Sequence, residues 1–221
     1  MQYIKKLNKN VKIVIGMSGG VDSSVTAALL KKAGFDVIGV FMKFWKDSDE
    51  KGNKIENSCC SLESEKRARQ VAKVLDIPFY VFNFEKEFKK KIVDSFLREY
   101  KKGVTPNPCV ICNKEIKFGL LMEKALKLGA EYVATGHYAI NKNGRLFQGK
   151  DKNKDQSYFL WQLNQNQLKH VLFPVGNYTK DKVRKLAKKF KLPTAEAPES
   201  QEICFIPKSI NEFLEKYLKI K

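Results

Sequence analysis

The sequence has no apolar run long enough to cross a lipid bilayer. Its longest such stretch, V-I-G-V-F-M at residues 37–42, is far shorter than the roughly 20 residues that a transmembrane helix needs. The first residues, M-Q-Y-I-K-K, also lack the apolar core of a signal peptide. These absences predict a cytoplasmic protein without a membrane partner.

Acidic residues are scarce relative to basic ones. The 221 residues include 42 lysines and arginines but only 24 aspartates and glutamates, which gives a formal net charge of +18. Such an excess favours polyanionic partners, nucleic acids above all. A lysine-rich but merely solvated surface is the other interpretation of the same count. The 43% hydrophobic content is enough for a core and excludes wholesale disorder.

Cysteines are too few for the disulfide framework of a secreted protein. There are five: Cys59 and Cys60 are adjacent, Cys109 and Cys112 form a C-x-x-C, and Cys204 stands alone. In a reducing compartment such usage points to catalysis, sulfur chemistry or a metal. No role follows for Cys59 and Cys60, for which packing is as good an explanation as chemistry.

Strand and helix patterns alternate over the first two thirds of the chain, which predicts a doubly wound parallel α/β sheet with a small C-terminal extension. Buried strands are predicted at 12–17, 36–42, 78–84 and 132–135, and helices at 23–33, 62–75, 88–100 and 116–128. A short strand at 145–149 and a helix at 179–190 follow. Residues 46–57 and the proline-rich 105–108 are predicted loops. We expect one domain over 1–145 and a continuous extension over 146–221.

A glycine-rich string joins the first predicted strand to the first helix. It reads Gly16, Met17, Ser18, Gly19, Gly20, Val21, Asp22, Ser23. Glycines allow close backbone approach to a phosphate, and the helix N-terminus adds unpaired N–H groups and a positive dipole end. An ordinary tight turn would explain two glycines, but not the complete S-G-G-x-D-S. That string resembles the PP-loop of the ATP pyrophosphatases, whose fold is similar to that of the adenine nucleotide alpha hydrolases.

Six further motifs narrow the resemblance. In chain order they are F-M-K at 41–43, C-C-S at 59–61, T-P-N-P-C-V-I-C-N-K-E-I-K-F at 105–118, T-G-H-Y at 135–138, K-D-Q-S-Y-F-L at 154–160 and S-Q-E-I-C-F-I at 200–206. Together they resemble the tRNA-specific 2-thiouridylases from about residue 12 onward. The implied activity is ATP-dependent replacement of the wobble uridine's C2 oxygen by sulfur, through adenylation of that oxygen and release of pyrophosphate and AMP.

The resemblance also implies a role for individual residues. ATP, with Mg²⁺, would be held by the PP-loop residues together with Met42 and Gly136. Asn107 and Pro108 would lie against the target uridine, and Cys109, His137, Lys154, Asp155 and Gln156 would contact tRNA. Cys112 would be the nucleophile, a sulfur of low pKa, and Cys204 would carry sulfur as a persulfide. The implied partners are the tRNAs for Lys, Glu and Gln and a cysteine desulfurase or sulfur-relay protein as donor.

The chain departs from the family in two respects. Many members have an aspartate where Cys109 stands, so the acid–base group near the persulfide is missing. Cys109, Cys112 and Cys204 are instead the ligand set that some tRNA thiolases use for a 4Fe–4S cluster, with one iron left open for sulfide. The cluster and a Cys112–Cys204 persulfide relay are both open, with the cluster slightly favoured. The second departure is that full members continue into β-rich domains beyond residue 221.

Two other functions are compatible with parts of the sequence. An amide-forming or amine-transferring PP-loop ligase would need ATP but neither Cys112 nor Cys204. A basic RNA-binding module that retains an old nucleotide fold would bind RNA without an ATP-dependent product. The intact Asp22, Ser23 and outer cysteines favour the thiolating enzyme over both.

Overall fold

The main sheet of the computed structural model, which describes residues 8–49, 51–55, 60–198 and 203–218, consists of five parallel strands. They are β1 (Lys12–Gly16), β2 (Asp36–Lys43), β3 (Phe79–Asn83), β4 (Tyr132–Ala134) and β7 (Val171–Leu172). A separate antiparallel hairpin is formed by β5 (Ala139–Lys142) and β6 (Arg145–Gln148).

Helices follow or precede each strand of the sheet. They are α1 (Val21–Lys32), α2 (Leu62–Val74), α3 (Glu85–Phe88), α4 (Asp94–Lys101), α5 (Pro108–Cys112), α6 (Leu121–Lys127), α7 (Gln165–Lys169), α8 (Lys180–Lys189) and α9 (Ile210–Leu218). A π-helical segment, Lys89–Val93, joins α3 to α4, and another, Asn113–Leu120, joins α5 to α6. Short 3₁₀ turns span Ser157–Leu160 and Pro174–Asn177. Across the described ranges, no helix combines the length and the apolar character that a membrane span requires.

The strand order is β3-β2-β1-β4-β7, so the chain leaves β1 first toward one edge and later toward the other. This reversal is the doubly wound pattern, and it opens a crevice between the carboxyl ends of β1 and β4, where ligands bind in such sheets. The predicted fold class is therefore confirmed. The division at residue 145 stays a prediction, and β7, which lies beyond it, pairs with β4 in the main sheet.

The largest error of the sequence prediction concerns the helix that carries the C-x-x-C. Its predicted start is residue 116, but continuous helical structure begins at Pro108. Asn107 caps it, because its Oδ1 accepts hydrogen bonds from the N–H groups of Cys109 (3.1 Å) and Val110 (3.3 Å). Asn before Pro is a helix-start signal as well as a loop signal, since proline at the first helical position has no N–H to satisfy.

A C-terminal helix that the sequence analysis did not predict, α9, is anchored on the body of the fold. Phe213 of α9 packs on Phe96 and Phe205, with ring centroids 6.2 and 5.6 Å away. At its end, Lys216 Nζ lies 2.7 Å from the carboxylate of the buried Asp47, which also accepts a hydrogen bond from the Tyr217 hydroxyl. The segment immediately before α9, which includes residue 204, is thereby held against the sheet edge.

Candidate active site

The loop between β1 and α1, hereafter the PP-loop, is held in one conformation by its surroundings. Gly19 has a φ of +75°, and a Cβ added there would lie 2.2 Å from the Ser64 carbonyl oxygen, so only glycine fits. The Gly19 carbonyl accepts a hydrogen bond from Arg67 Nε at 3.1 Å. Within the loop, the Ser18 N–H donates to Ser23 Oγ at 3.2 Å. The loop is therefore built before any ligand arrives.

The first turn of α1 fits an anion. Its capping residue, Gly20, offers no side chain, and no side-chain hydrogen bond caps the helix. The hydroxyls of Ser23 and Ser24 donate back to the Gly20 carbonyl, at 3.1 and 2.8 Å. Unpaired N–H groups and the positive end of a 12-residue helix therefore face the crevice, as phosphate sites at helix N-termini require.

Asp22 is paired with a lysine that the sequence analysis did not single out. Lys180 Nζ lies 2.9 and 2.8 Å from the two carboxylate oxygens of Asp22, and the Tyr138 hydroxyl donates to Oδ1 at 2.7 Å. Lys180 is buried in the first turn of α8. Because it is one of many lysines, nothing local in the sequence marks it. The arrangement places a cation directly beside the PP-loop.

Gly136 has a packing role that is independent of any ligand. A Cβ at this position would lie 2.7 Å from the Ser23 backbone nitrogen and 2.8 Å from the Asp22 carbonyl carbon. The loop after β4 can therefore approach the start of α1 only with glycine at 136. This contact sets the width of the crevice between β1 and β4.

A central cavity of about 310 Å³ brings most of the predicted site residues together. The predicted residues that line it are Gly16, Met17, Ser18, Asp22, Ser23, Met42, Pro108, Cys109, Cys112, Gly136, His137, Gln156 and Cys204. Lining residues that the analysis did not assign include Lys117 and the apolar Phe44, Phe88, Ile92, Ile203 and Phe205. Asn107 lines a second groove instead. The PP-loop and the cysteines thus share one chamber, although more than 90 residues separate Cys112 from Cys204.

Two of the thiols in the central cavity, those of Cys109 and Cys112, are poor acids. Burial raises the pKa of Cys112 to about 12 and also raises that of Cys109, while the Lys117 ammonium opposes both shifts. The charge of Cys204 contributes to raising both pKa values, so its sulfur lies near the other two. The expectation of a low-pKa sulfur is therefore wrong for Cys112, because desolvation outweighs the single nearby cation.

The three cysteines do not fit a metal cluster well. Among the described residues, which include Cys109, Cys112 and Cys204, no three His, Cys, Asp or Glu side chains form a group that could hold a metal ion. For Mg²⁺, Asp22 is the one carboxylate among the described lining residues, which suffices only if phosphates and water complete the shell.

His137 is a buried neutral side chain. Its Nδ1 lies 2.7 Å from Thr135 Oγ1, and its ring packs on Phe118 and Phe173 with centroids 5.9 Å away in each case. Burial lowers its pKa well below the ordinary value. Because His137 is buried, only an RNA base that enters the central cavity could touch it. A contact between His137 and such a base stays a prediction.

The segment Lys154, Asp155, Gln156 is a tight turn that is held by its own hydrogen bonds. The Asp155 carboxylate accepts hydrogen bonds from the Gly149 N–H and the Ser157 hydroxyl, both at 2.7 Å. Gln156 Oε1 accepts from the Tyr138 N–H at 3.0 Å. Gln156 reaches the central cavity from this turn, whereas Asp155 organises the backbone.

The other cysteine pair lies apart from this chemistry. Cys60 is buried, and its thiol donates to the Phe44 carbonyl at 3.7 Å, as a packed core cysteine does. Cys59 lies outside the described residues, as do residues 200–202 at the start of the S-Q-E-I-C-F-I motif.

We expect iodoacetamide to label Cys112 about tenfold faster for each unit of pH between 7 and 10. Only the thiolate reacts, and with a pKa of about 12 its fraction keeps rising across this range. Peptide mass spectrometry of timed samples measures the rate. A plateau near pH 9, where an ordinary thiol is ionised, would contradict the assignment.

A matched pair of lysine variants tests the electrostatic cause. Lys117→Met should slow the labelling of Cys112 several-fold at each pH, because it removes the cation that lowers the pKa of this thiol. Lys114→Met removes an equal charge from the same helix but from a side chain outside the described cavity lining, and should leave the rate unchanged.

Comparison with known proteins agrees with this site. The family described as "tRNA methyl transferase HUP domain" matches residues 11–208. The protein named tRNA-specific 2-thiouridylase MnmA 2 of Thermoanaerobacter sp. strain X514 is 55% identical over 204 residues, covering 90% of this chain and 56% of that protein. The protein named tRNA-specific 2-thiouridylase MnmA 1 of Caldanaerobacter subterraneus is 54% identical over 217 residues, covering 95% of this chain and 60% of that protein. The chain thus spans little more than half the length of these relatives.

Solved structures show the same fold at low sequence identity. NMN synthetase from Francisella tularensis superposes with a TM-score of 0.54 at 19% identity, covering 90% of this chain and 73% of that chain. A predicted subunit of tRNA methyltransferase from Methanocaldococcus jannaschii gives 0.50 at 18% identity, covering 81% and 76%. The resemblance seen in the motifs is confirmed: the chain belongs to the tRNA methyl transferase HUP domain family and is similar over nine tenths of its length to proteins named tRNA-specific 2-thiouridylase.

Proposed function

We propose that this chain catalyses the ATP-dependent 2-thiolation of the wobble uridine of tRNA. The observation that carries the proposal is that an uncapped PP-loop and two non-adjacent cysteines line one cavity. Uracil C2 is a poor electrophile until its oxygen becomes a leaving group. A site that activates an oxygen with ATP and holds sulfur within the same chamber supplies both requirements.

In the adenylation step, the chain's role is to hold phosphates and stabilise charge. The N–H groups at the start of α1 bind the ATP phosphates, and Lys180 beside Asp22 neutralises the negative charge that builds up as pyrophosphate leaves. Asp22 would supply one carboxylate ligand to Mg²⁺, which would offset the negative charge of the phosphates. Met42 and Gly136 line the same cavity.

Sulfur transfer then proceeds through a persulfide on Cys204. Its terminal sulfur attacks C2 of the adenylated uridine, and the C–S bond forms as the C–O bond to AMP breaks. As Cys112 attacks Cys204 Sγ, the proton of its thiol passes to N3 of the departing 2-thiouridine and the S–S bond breaks. A Cys112–Cys204 disulfide remains, and a thiol reductant restores both thiols before Cys204 is loaded again. No step in this scheme uses a metal cluster.

The central cavity favours sulfur transfer over the chemistry of other PP-loop proteins. Neither an amide-forming ligase nor the methyl transfer in the family's description would need Cys112 and Cys204 beside the nucleotide loop. The partners that follow are the tRNAs for Lys, Glu and Gln and a cysteine desulfurase or relay protein that loads Cys204, all in the cytoplasm. The direct test is to supply ATP, tRNA and a persulfide donor. AMP, pyrophosphate and 2-thiouridine should form in equal amounts, and AMP without 2-thiouridine would contradict the proposal.

We expect the affinity for tRNA to fall steeply with salt. If the +18 chain neutralises about six phosphates, each doubling of the salt concentration should weaken binding about 40-fold through counterion release. Filter binding at several salt concentrations gives the slope. An affinity that does not change with salt would favour the other interpretation of the net charge, a lysine-rich surface that is only solvated.

A further inference from the structure

A second concavity, hereafter the aromatic groove, lies beside the central cavity. It has a volume of about 390 Å³, and Pro108 lines both spaces. Two large aromatic side chains line the groove and are unusually exposed, Tyr158 by 65% and Trp161 by 62%. Val104, half exposed, extends the same apolar patch. Contiguous exposed apolar side chains of this kind mark binding surfaces in soluble proteins.

The two aromatic side chains share one face because of local geometry. Tyr158 lies in the 3₁₀ turn Ser157–Leu160 and Trp161 follows it directly. In a 3₁₀ turn, side chains three residues apart eclipse one another. Tyr158 and Trp161 are separated by three positions, which allows both rings, hereafter the platform, to line the one groove.

The platform is fixed to the helix that carries Cys112. Leu160 of the same turn is fully buried. Asn113, one residue after Cys112, donates a hydrogen bond from Nδ2 to the Phe159 carbonyl at 2.9 Å. The position of the two exposed rings is therefore set relative to Cys112, rather than varying with a loose loop.

The charges around the aromatic groove are largely neutralised within the protein. Lys91 lies 2.6 Å from the Glu115 carboxylate, and Glu99 lies 3.3 Å from Lys102 Nζ. Recognition here depends on flat apolar faces rather than on phosphate contacts. Unpaired nucleotide bases present such faces, and proteins stack them on exposed aromatic side chains. A chain of net charge +18 supplies long-range attraction for the polyanion as a whole.

We propose that Tyr158 and Trp161 form a stacking platform for an unpaired base next to the target uridine of the RNA substrate. This inference rests on the proposed function. With the uridine in the central cavity, the adjoining nucleotide passes over Pro108, which borders both spaces, and reaches the two rings. The platform holds the RNA strand in the position from which the uridine enters.

The test uses the 221-residue chain and an anticodon stem-loop RNA with 2-aminopurine next to the wobble uridine. Wild-type protein should quench the 2-aminopurine fluorescence, and Tyr158→Ala or Trp161→Ala should abolish the quench. Each alanine variant should weaken binding roughly 5- to 150-fold, the range measured when one stacked base loses its aromatic partner. Trp161→Phe should retain most of the affinity.

Two readouts separate stacking from other causes. The salt dependence of the alanine variants should equal that of wild type, because no phosphate contact is lost. Phe147→Ala is the matched control, since it removes an aromatic ring that is 48% exposed on the β5–β6 hairpin and is not among the described residues of the groove. It should bind RNA like wild type.

The outcomes distinguish this inference from the function on which it rests. Wild-type affinity and quenching in both alanine variants would overturn the platform and leave the proposed function intact. Failure of the wild-type chain to bind the RNA would overturn both. Normal RNA binding by the alanine variants, with thiolation lost only when a protein donor replaces a small-molecule persulfide, would reassign the patch to a donor protein and also overturn the platform.

Discussion

Replacing Cys204 or Cys112 with serine is expected to reduce sulfur transfer by about 10³-fold or more, while ATP-dependent pyrophosphate release continues. Serine keeps the shape of cysteine, but its oxygen neither carries a transferable sulfur nor reduces a persulfide. The PP-loop that binds phosphates is built from other residues and stays intact. Single-turnover formation of 2-thiouridine, followed by mass spectrometry of digested tRNA, measures the first quantity, and a coupled pyrophosphate assay measures the second.

Cys109→Ser is the matched control for these two variants. Cys109 lines the same cavity but has no role in the persulfide relay, so the variant should keep most of the thiolation rate. Equal loss of thiolation in all three variants, together with loss of iron from anaerobically purified protein, would restore the cluster interpretation. Wild-type thiolation by the C204S variant with a protein donor would contradict the relay itself.

A second large effect is expected at the ion pair beside the PP-loop. Lys180→Met should slow pyrophosphate release by about 10²–10³-fold, because a buried cation that stabilises the leaving phosphates is worth as much as an oxyanion-hole donor. Asp22→Asn should cause a loss of the same order, since it removes both the partner of Lys180 and the carboxylate available to Mg²⁺. Thermal unfolding of both variants shows whether the fold survives.

Lys182→Met serves as the control for the charge change. Lys182 is exposed on the same helix, α8, so its replacement alters the net charge equally without touching the PP-loop. It should release pyrophosphate at the wild-type rate. If Lys180→Met did so as well, Lys180 would be only a structural partner of Asp22. If Lys182→Met were as slow as Lys180→Met, the effect would come from general electrostatics.

The sequence was sufficient to predict the fold class and to single out most of the residues that line the central cavity. Buried strands of a parallel sheet are nearly continuous apolar runs, and this made β1, β2 and β4 visible. The two-residue β7 has no such run, and it was missed along with the β5 strand of the hairpin. The PP-loop was recognisable for two reasons. Its glycines and hydroxyl residues occur in the order S-G-G-x-D-S, and the string lies between a predicted strand and a predicted helix.

Features that depend on distant parts of the chain were not accessible in this way. Lys180 is a buried partner of Asp22 because α8 packs against α1, and no pattern near either residue records that contact. The pKa of Cys112 is raised because burial excludes water, whereas the family resemblance implied a reactive thiol of low pKa. Burial is a property of the assembled fold. The motifs in the sequence therefore predict which side chains share a site, but not the pKa of each one.

The anchoring of α9 has a consequence for the order in which the active site is assembled. Asp47 and the lysine that it holds, Lys216, are 169 residues apart in sequence. Contacts of such high sequence separation form late in folding, since a long loop must close first. On the ribosome, the PP-loop half emerges and can fold while α9 is still unmade. Cys204, which lies shortly before α9, is therefore expected to settle near Cys112 only after α9 has been made, so the PP-loop should form before the cysteines come together.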